Sequence, residues 1–349
     1  MVDSTLPKEY SVALKGLLSL FIVGTHISIY LQSTETFLWL RLSTLLTPLS
    51  LVFFFFFSGY GLMMQHRLRT LRTPSATPSE LWKGWLPRRI WGLVKPFLFF
   101  YVLAVAFLFL GYGVGEMDKA KSWMSIYFSY HWRVGIPGPL APAWFLGELI
   151  VLYTLYYLSF RYIRSRKMAV VVLLLLVSLF LLLAWHADFG YYWLRYPFSF
   201  VAGVVYALFE ERIYTQVKSH STLALVALLL LGSVYIWSVK TFSSPRVMLD
   251  ILEHLAYYPL PVLFVALSKA GGVTDFVMKR MTRGVIIRQL RWIGEISLEV
   301  YLLHIIWVNF YRSVVCTIDS PLLYMLAVYT STIVGAYLIV RYLRRWVRA

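Results

Sequence analysis

The chain has 349 residues, of which 60% are hydrophobic and only 14% are charged, with a mean hydropathy of +0.69. This composition excludes a soluble globular protein of this length and predicts that most of the chain lies in lipid. The net charge is +17, but the cations are spread over several loops, which argues against nucleic acid as a partner. The single cysteine, Cys316, excludes an internal disulfide and a cluster of cysteine metal ligands. We expect no metal.

Ten apolar stretches along the chain are each long enough to cross the hydrocarbon core of a membrane. They are centred near Phe21, Phe53, Leu103, Val151, Leu175, Phe200, Leu228, Leu260, Leu302 and Val328. Because lipid offers no hydrogen-bond partners to the backbone, the spans should be helices. The predicted fold is therefore all-α: a polytopic integral membrane helical bundle of about ten transmembrane helices. We expect residues 1–349 to form a single transmembrane domain without an appended soluble domain.

The distribution of cations predicts how the bundle is oriented. Of the 33 Lys and Arg residues, 25 fall in the two terminal segments and in alternate loops that lie on one side. Lys and Arg close to the ends of spans are retained on the cytoplasmic side. Both termini are thus predicted to be cytoplasmic, in a multi-pass protein of the cell inner membrane. The positive face can meet anionic lipid or a phosphorylated ligand.

The first span places a cation, Lys15, eleven positions before a histidine, His26. Eleven helical residues make about three turns, so the two side chains share one face and lie roughly 16 Å apart along the axis. This separation suits a coenzyme A thioester, which carries phosphates at one end and a reactive acyl group at the other. Lys15 would hold a phosphate at the cytoplasmic mouth while His26 meets the thioester within the membrane.

His26 is a candidate general base. An ionisable group at bilayer depth costs several kcal/mol unless it faces protein or water, which makes it a candidate site residue by default. A neutral imidazole can take the proton of an acceptor hydroxyl as that oxygen attacks the acyl carbon. A second interpretation stays open, in which His26 only hydrogen-bonds a neighbouring helix and Lys15 extends its ammonium to the membrane interface.

An outer loop and the start of the fourth span carry residues suited to a sugar acceptor. The loop, from about residue 113 to 143, contains His131 and Arg133 among several aromatic rings, on which the apolar face of a pyranose can stack. Trp144 begins the next span, and Glu148 lies about one turn further in, where a carboxylate could bind a sugar hydroxyl. The aromatic residues of the loop would equally form a belt at the membrane interface.

Four short motifs in chain order resemble the acyltransferase family 3 membrane proteins. Lys15 and His26 fit the family's basic residue, ten positions, then histidine. The run Phe53-Phe54-Phe55-Phe56-Phe57-Ser58-Gly59-Tyr60-Gly61 resembles its Phe-rich stretch closed by Ser-Gly-Phe or Ser-Gly-Tyr. Trp144-Phe145-Leu146 and the segment from Gly294 to His304 resemble its remaining two motifs.

The resemblance implies roles for particular residues. His26 and His304 would be catalytic. Trp144, in the third motif, would contact the acceptor together with Glu148, His131 and Arg133, which were chosen above for their chemistry. The donor would be bound by Lys15, Ser58, Gly59, Tyr60, Arg88, Arg89 and Lys95. The family often has two arginines three positions apart before the third span, whereas here Arg88 and Arg89 are adjacent. The glycines of the second span also suit simple helix packing.

The predicted function is O-acyl transfer, with acetyl-CoA or another acyl-CoA as cytoplasmic donor and a hydroxyl of a cell-envelope polysaccharide or lipid-linked sugar as acceptor. The expected partners are membrane lipids, the acyl-CoA and the glycan. A transporter or flippase of a glycan or lipid intermediate would also suit ten spans with buried polar groups. A sensor or scaffold for other envelope enzymes is a third hypothesis, and it predicts no donor binding.

Overall fold

The computed structural model describes residues 6–31, 37–75, 77–112, 140–187, 189–190, 192–240 and 256–347. The described residues are helices joined by short connections, and their only β-structure is one isolated bridge between Arg312 and Thr317. The all-α fold class is therefore confirmed.

Fourteen α-helices are used in the description that follows, together with a 3₁₀ turn at Ala141–Ala143. They are α1 (Lys8–Leu31), α2 (Leu38–Arg72), α3 (Pro78–Leu81), α4 (Trp85–Tyr112), α5 (Trp144–Tyr162), α6 (Arg166–His186), α7 (Tyr192–Arg195), α8 (Pro197–Ser219), α9 (Ser221–Lys240), α10 (Pro259–Ala270), α11 (Val273–Arg283), α12 (Val285–Glu295), α13 (Ser297–Phe310) and α14 (Pro321–Val347).

Each of the ten apolar stretches is helical, but fewer than ten meet the length and hydropathy of a membrane span. Six described segments do so: α1, α2, residues 79–107, α6, α9 and α14. Two bent pairs raise the number to eight if each pair counts as one span; α11 is bent by 71° from α10, and α13 by 81° from α12. The count of ten and the cytoplasmic location of the termini stay predictions.

Helix α1 is held at close range by its neighbours through glycines. A Cβ built on Gly16 would lie 1.9 Å from the carbonyl oxygen of Leu290, and one on Gly294 would lie 1.9 Å from that of Val12. The backbones of α1 and α12 are therefore in direct contact at this crossing. On the other side, a Cβ on Gly24 would meet the Ser43 hydroxyl of α2 at 2.3 Å.

Helices α2 and α8 cross in the same way through a reciprocal pair of glycines. A Cβ on Gly59 would lie 2.0 Å from the carbonyl oxygen of Phe200, and one on Gly203 would lie 2.0 Å from that of Phe56. Gly59, which the resemblance assigned to the donor, thus has a packing role in this structure.

Basic residues from separate connections gather at one end of the bundle. Arg67 at the end of α2 donates to the carbonyl oxygen of Ala207 in α8 (2.8 Å). Lys269 at the end of α10 lies 3.8 Å from a carboxylate oxygen of Glu210, also in α8. The charge of Arg89 in α4 acts on Lys15 of α1. This is the end that the loop charges predict to be cytoplasmic.

Replacing Gly203 by Ala should destabilise the protein by about 1–3 kcal/mol, because the new methyl group forces α2 and α8 apart. Gly232 in α9 provides the control, since no side chain or neighbouring backbone of the described residues lies within 4 Å of its built Cβ. There the alanine should stabilise the helix by roughly 0.5–1 kcal/mol. Thermal unfolding in detergent measures both, and equal midpoints for the two variants would contradict the close crossing.

Candidate active site

The two histidines that the motifs single out meet inside the bundle. The Nε2 atom of His304 on α13 lies 3.2 Å from the Nδ1 atom of His26 on α1, and their ring centroids are 4.8 Å apart. His304 is fully buried and His26 is part-buried. The imidazole of His26 therefore contacts the neighbouring helix α13.

Hydrogen bonding determines which nitrogen of neutral His26 carries the proton. Its Nδ1 lies 3.0 Å from the carbonyl oxygen of Ile22, one turn earlier on α1. A carbonyl oxygen can only accept, so Nδ1 must be the protonated nitrogen. The same N–H is shared with Nε2 of His304, which must then present its lone pair. The opposite assignment would leave two lone pairs facing each other at Ile22.

The remaining nitrogen of His26, Nε2, keeps its lone pair in this tautomer. Within the described part of the chain no side chain or backbone group hydrogen-bonds it. Protonation of Nε2 would create an imidazolium whose N–H at Nδ1 is already directed at Ile22 and His304. Hydrogen bonds from a charged donor are stronger than neutral ones, so both acceptors stabilise the protonated ring. The arrangement is that of a general base with two positioning groups.

Hydroxyl contacts and one tyrosine fix the helices that carry the pair. Thr25, next to His26, lies 2.6 Å from the hydroxyl of Thr47 on α2, and Thr47 also donates to the carbonyl oxygen of Phe21 (3.1 Å). On α13, Tyr301 donates to the carbonyl oxygen of Pro142 in the 3₁₀ turn. Its ring centroid is 5.9 Å from that of His304.

Trp144 lies in a stack of aromatic rings. Its ring is nearly parallel to those of Tyr192 (5.2 Å between centroids) and Tyr196 (5.8 Å). The next residue, Phe145, contacts Tyr301 at 5.7 Å. The start of α5 is thus linked to the histidine pair through two rings.

Glu148 is fully buried one turn along α5, and neither of its carboxylate oxygens has a hydrogen-bond partner among the described residues. The charges of Glu148 and Arg195 both act on Tyr196 and Tyr258, so the acid and the cation share one polar region. Burying a carboxylate without a partner is costly, which marks Glu148 as a residue kept for a purpose other than stability.

Lys15 faces a cluster of positive charge near the other end of α1. Its ammonium lies 5.7 Å from the centre of the Phe57 ring, and the charges of Arg89 and Lys8 act on it. No carboxylate of the described residues is within salt-bridge distance of Lys15. A half-buried cation among further cations, without an acidic partner, is suited to an anion.

A cleft of about 730 Å³ opens beside Lys15. Its lining includes four cations from the three helices α1, α12 and α14, Lys8, Lys15, Arg291 and Arg341, and two acids, Glu9 and Glu295. Arg291 is paired with Glu295 (3.0 Å), so the cleft keeps an excess of positive charge on the side of Lys15. The lining stops at Ile296 and Ser297, at the bend between α12 and α13, and neither histidine of the pair belongs to it. On α1 itself, the residues between Lys15 and His26 on the same face are buried: Leu18, Ser19 and Ile22.

The structure separates the two adjacent arginines. Arg89 donates to the side-chain oxygen of Gln65 on α2 (3.1 Å) and lies 5.9 Å from the centre of the Tyr153 ring. Arg88 instead folds back on its own helix end and donates to the carbonyl oxygen of Gly84 (2.8 Å). Arg89 therefore acts on Lys15, whereas Arg88 is turned away. The hydroxyl of Ser58 donates to the carbonyl oxygen of Phe54 on its own helix (2.8 Å), and its donor contact stays a prediction.

For Gly59, Tyr60 and Lys95, the other residues predicted to bind the donor, the structure gives packing, hydrogen-bond partners or burial, but no donor contact. The hydroxyl of Tyr60 donates to the carboxylate of Glu210 (3.1 Å), which also accepts from the backbone N–H of Leu6 (2.8 Å). Lys95 is half-buried two turns beyond Arg88 on α4. As donor contacts, Tyr60, Gly59 and Lys95 stay predictions.

Two predicted residues lie outside the described residues, and three residues near the site were not predicted. His131 and Arg133 fall in the range 113–139, which the structure does not describe. The buried pair of Glu210 and Lys269 was not predicted, although a carboxylate near the end of an apolar stretch was a visible signal. Tyr153 was also missed, because one tyrosine among many in α5 carries no signal in the sequence.

Comparison with protein families agrees with this geometry. The model of the acyltransferase family 3 domain matches residues 10–341, nearly the whole chain. The chain therefore belongs to this family, as its motifs led us to expect. It is a multi-pass membrane acyltransferase. Comparisons with curated proteins and with solved structures find no significant match.

The tautomer of His26 can be observed by ¹⁵N NMR of histidine-labelled protein in detergent. We expect His26 to give the spectrum of a neutral ring protonated at Nδ1, because Ile22 offers only an acceptor. The His26→Asn variant assigns the signal among the seven histidines. A His26 signal from a ring protonated at Nε2 would contradict the arrangement.

Proposed function

We propose that the protein transfers an acyl group, most simply acetyl, from acyl-CoA to a hydroxyl of an envelope glycan or lipid-linked sugar. The observation that carries this proposal is the Nε2 lone pair of His26, which no described residue hydrogen-bonds, on a ring that is positioned by Ile22 and His304. Family membership supplies the reaction class, and the identity of donor and acceptor rests on the arguments below.

In the proposed reaction, Nε2 of His26 takes the proton of the acceptor hydroxyl as its oxygen attacks the thioester carbonyl carbon. The new C–O bond forms and the C–S bond breaks, so the acyl group moves to the sugar and coenzyme A leaves as a thiolate. The imidazolium then returns its proton to that thiolate. His304 accepts a hydrogen bond from Nδ1 throughout, which makes it a positioning residue in this mechanism.

The charge at the Lys15 end supports a phosphorylated donor. Lys15, Arg89 and Lys8 form a cationic group, and no carboxylate of the described residues is within salt-bridge distance of Lys15. The adjoining cleft has the size of a small-molecule site. Because the cleft stops at Ile296 and Ser297, the acyl arm has to enter between helices to reach His26. The span of roughly 16 Å along α1 is the distance that the arm must cover.

The features at the start of α5 support a sugar acceptor beside the histidine pair, to which Phe145 and Tyr301 link this region. The stacked rings of Trp144, Tyr192 and Tyr196 offer flat apolar surfaces, and Glu148 offers a carboxylate that has no hydrogen-bond partner among the described residues. Donor and acceptor would then approach His26 from two ends of the bundle. The loop charges favour the cytoplasmic membrane, with the Lys15 end in the cytoplasm.

Replacing His26 by Ala should lower acyl transfer by about 10²- to 10⁴-fold, the usual contribution of a general base. His220 provides the control, because it is exposed at the end of α8 and far along the chain from either histidine of the pair. The measurement is transfer of label from acetyl-CoA to glycan by purified protein in vesicles. Full activity in the His26→Ala variant would refute the mechanism.

The same assay distinguishes the transporter hypothesis. A protein that only moves a glycan or lipid would leave labelled acetyl-CoA intact and would attach no label to the glycan. The His26→Ala variant could lose labelling of the glycan and still transport it. This result would assign acyl transfer to His26 and transport to another part of the protein.

Replacing Arg89 by Gln should weaken coenzyme A binding about tenfold, since a charge-assisted contact to phosphate contributes roughly 1.5–3 kcal/mol. Arg88→Gln is the matched control, because Arg88 is turned to the Gly84 carbonyl and should affect binding little. Titration calorimetry with coenzyme A measures both variants. Equal effects, or a larger effect at Arg88, would contradict the proposed donor contact.

A further inference from the structure

Helices α11 and α12 connect the apolar helices α10 and α13 and are steeply inclined to them. Helix α11 is bent by 71° from α10, and α13 by 81° from α12. Helix α13 runs alongside α1, because His304 contacts His26 and Tyr30 donates to Asn309. Helix α12 therefore crosses α1 steeply, near Gly16. If α1 spans the membrane, α12 lies close to the membrane plane, at the level of Lys15.

These two helices, called the surface helix pair below, expose apolar side chains around their connection. Ile286 is 76% exposed and Val285 is 60% exposed on α12, while Phe276 is 54% exposed and Val273 is 46% exposed on α11. Neighbouring positions such as Thr274, Met281 and Ile293 are buried against the bundle. Ile286 lies two turns before Ile293, on the same face of α12. The exposed side chains thus extend the apolar surface of the pair beyond the part that packs on the protein.

Cations accompany this exposed apolar surface. The segment from Val273 to Glu295 holds five of them, Lys279, Arg280, Arg283, Arg288 and Arg291, against two acids, Asp275 and Glu295. The guanidinium of Arg280 lies 5.2 Å from the centre of the exposed Phe276 ring. An in-plane helix with apolar residues on one face and cations beside them is the pattern of a helix seated at a lipid interface.

We propose that the surface helix pair binds anionic phospholipid at the Lys15 end of the bundle. Ile286 and Phe276 enter the boundary of the acyl chains, and Arg280 and Arg288 contact headgroup phosphates. This inference is independent of the acyl-transfer chemistry. It adds a structural consequence, because Gly294 of α12 packs directly on α1 and Arg291 of α12 lines the cleft beside Lys15. The bound lipid therefore borders the cleft.

The test uses one fluorescent probe at a time in the full-length protein. In a Cys316→Ser background, which has no other cysteine, Ile286→Cys, Phe276→Cys and Asp275→Cys are each labelled with the fluorophore NBD. Asp275 is the matched control, since it is exposed on the same helix as Phe276 but lies on a different face. The proteins are placed in vesicles of phosphatidylcholine and phosphatidylglycerol whose acyl chains carry a doxyl quencher.

We expect the probes at 286 and 276 to be quenched several-fold more than the probe at 275. Equal quenching at all three positions, or quenching at 275 alone, would overturn the proposed seating in lipid. This comparison needs no change to the cations, so it holds even if a charge variant fails to fold.

A second measurement tests the preference for anionic lipid. With the quencher on phosphatidylglycerol, the 286 probe should be quenched more than with the same quencher on phosphatidylcholine. Arg280→Gln and Arg288→Gln should each lower this preference by about fivefold, and added salt should lower it in the unaltered chain. The anionic contact would be refuted if phosphatidylglycerol were not preferred, or if neither the charge variants nor salt changed that preference.

Discussion

The contact between His26 and His304 is the constraint on which the rest of the structure depends. Because the Ile22 carbonyl and the His304 ring both face Nδ1 of His26, the lone pair on Nε2 is left for chemistry. This geometry requires α1 and α13 to stay close enough for the two imidazole rings to be in contact. The glycine crossing of α1 with α12, just before the bend into α13, provides that proximity. Packing of backbone against backbone thus sets the position of a proton-accepting nitrogen.

Two regions near the histidine pair differ in their chemistry. Near Lys15 there are cations and an open cleft, which favour a phosphorylated molecule. At the start of α5 there are stacked rings and the buried carboxylate of Glu148, which has no hydrogen-bond partner among the described residues; these features favour a hydroxyl-rich molecule. The histidine pair is linked to the first region along α1 and to the second through Tyr301 and Phe145.

Much of this could be predicted from sequence, for physical reasons. Lys15 and His26 share a face because helical periodicity alone fixes their relative angle and distance, and the apolar stretches had to be helices because lipid leaves no alternative. The break at Ile296 was not predictable, since hydropathy averages over a window and does not register a bend. Arg88 and Arg89 make different contacts, Arg88 with Gly84 at its own helix end and Arg89 with Gln65 on α2. Only the fold brings Gln65 close to Arg89. The burial of Glu210 with Lys269 likewise joins residues that are distant in sequence.

A structure determined with a non-hydrolysable acetyl-CoA analogue tests the central claim most directly. The measured quantity is the distance from Nε2 of His26 to the acyl carbonyl carbon, with the phosphates located at the same time. The account predicts phosphates beside Lys15 and Arg89, and an acyl carbon close enough to Nε2 for one acceptor oxygen to lie between them. An analogue bound with its acyl group remote from His26, on the far side of α1 or outside the bundle, would contradict the account.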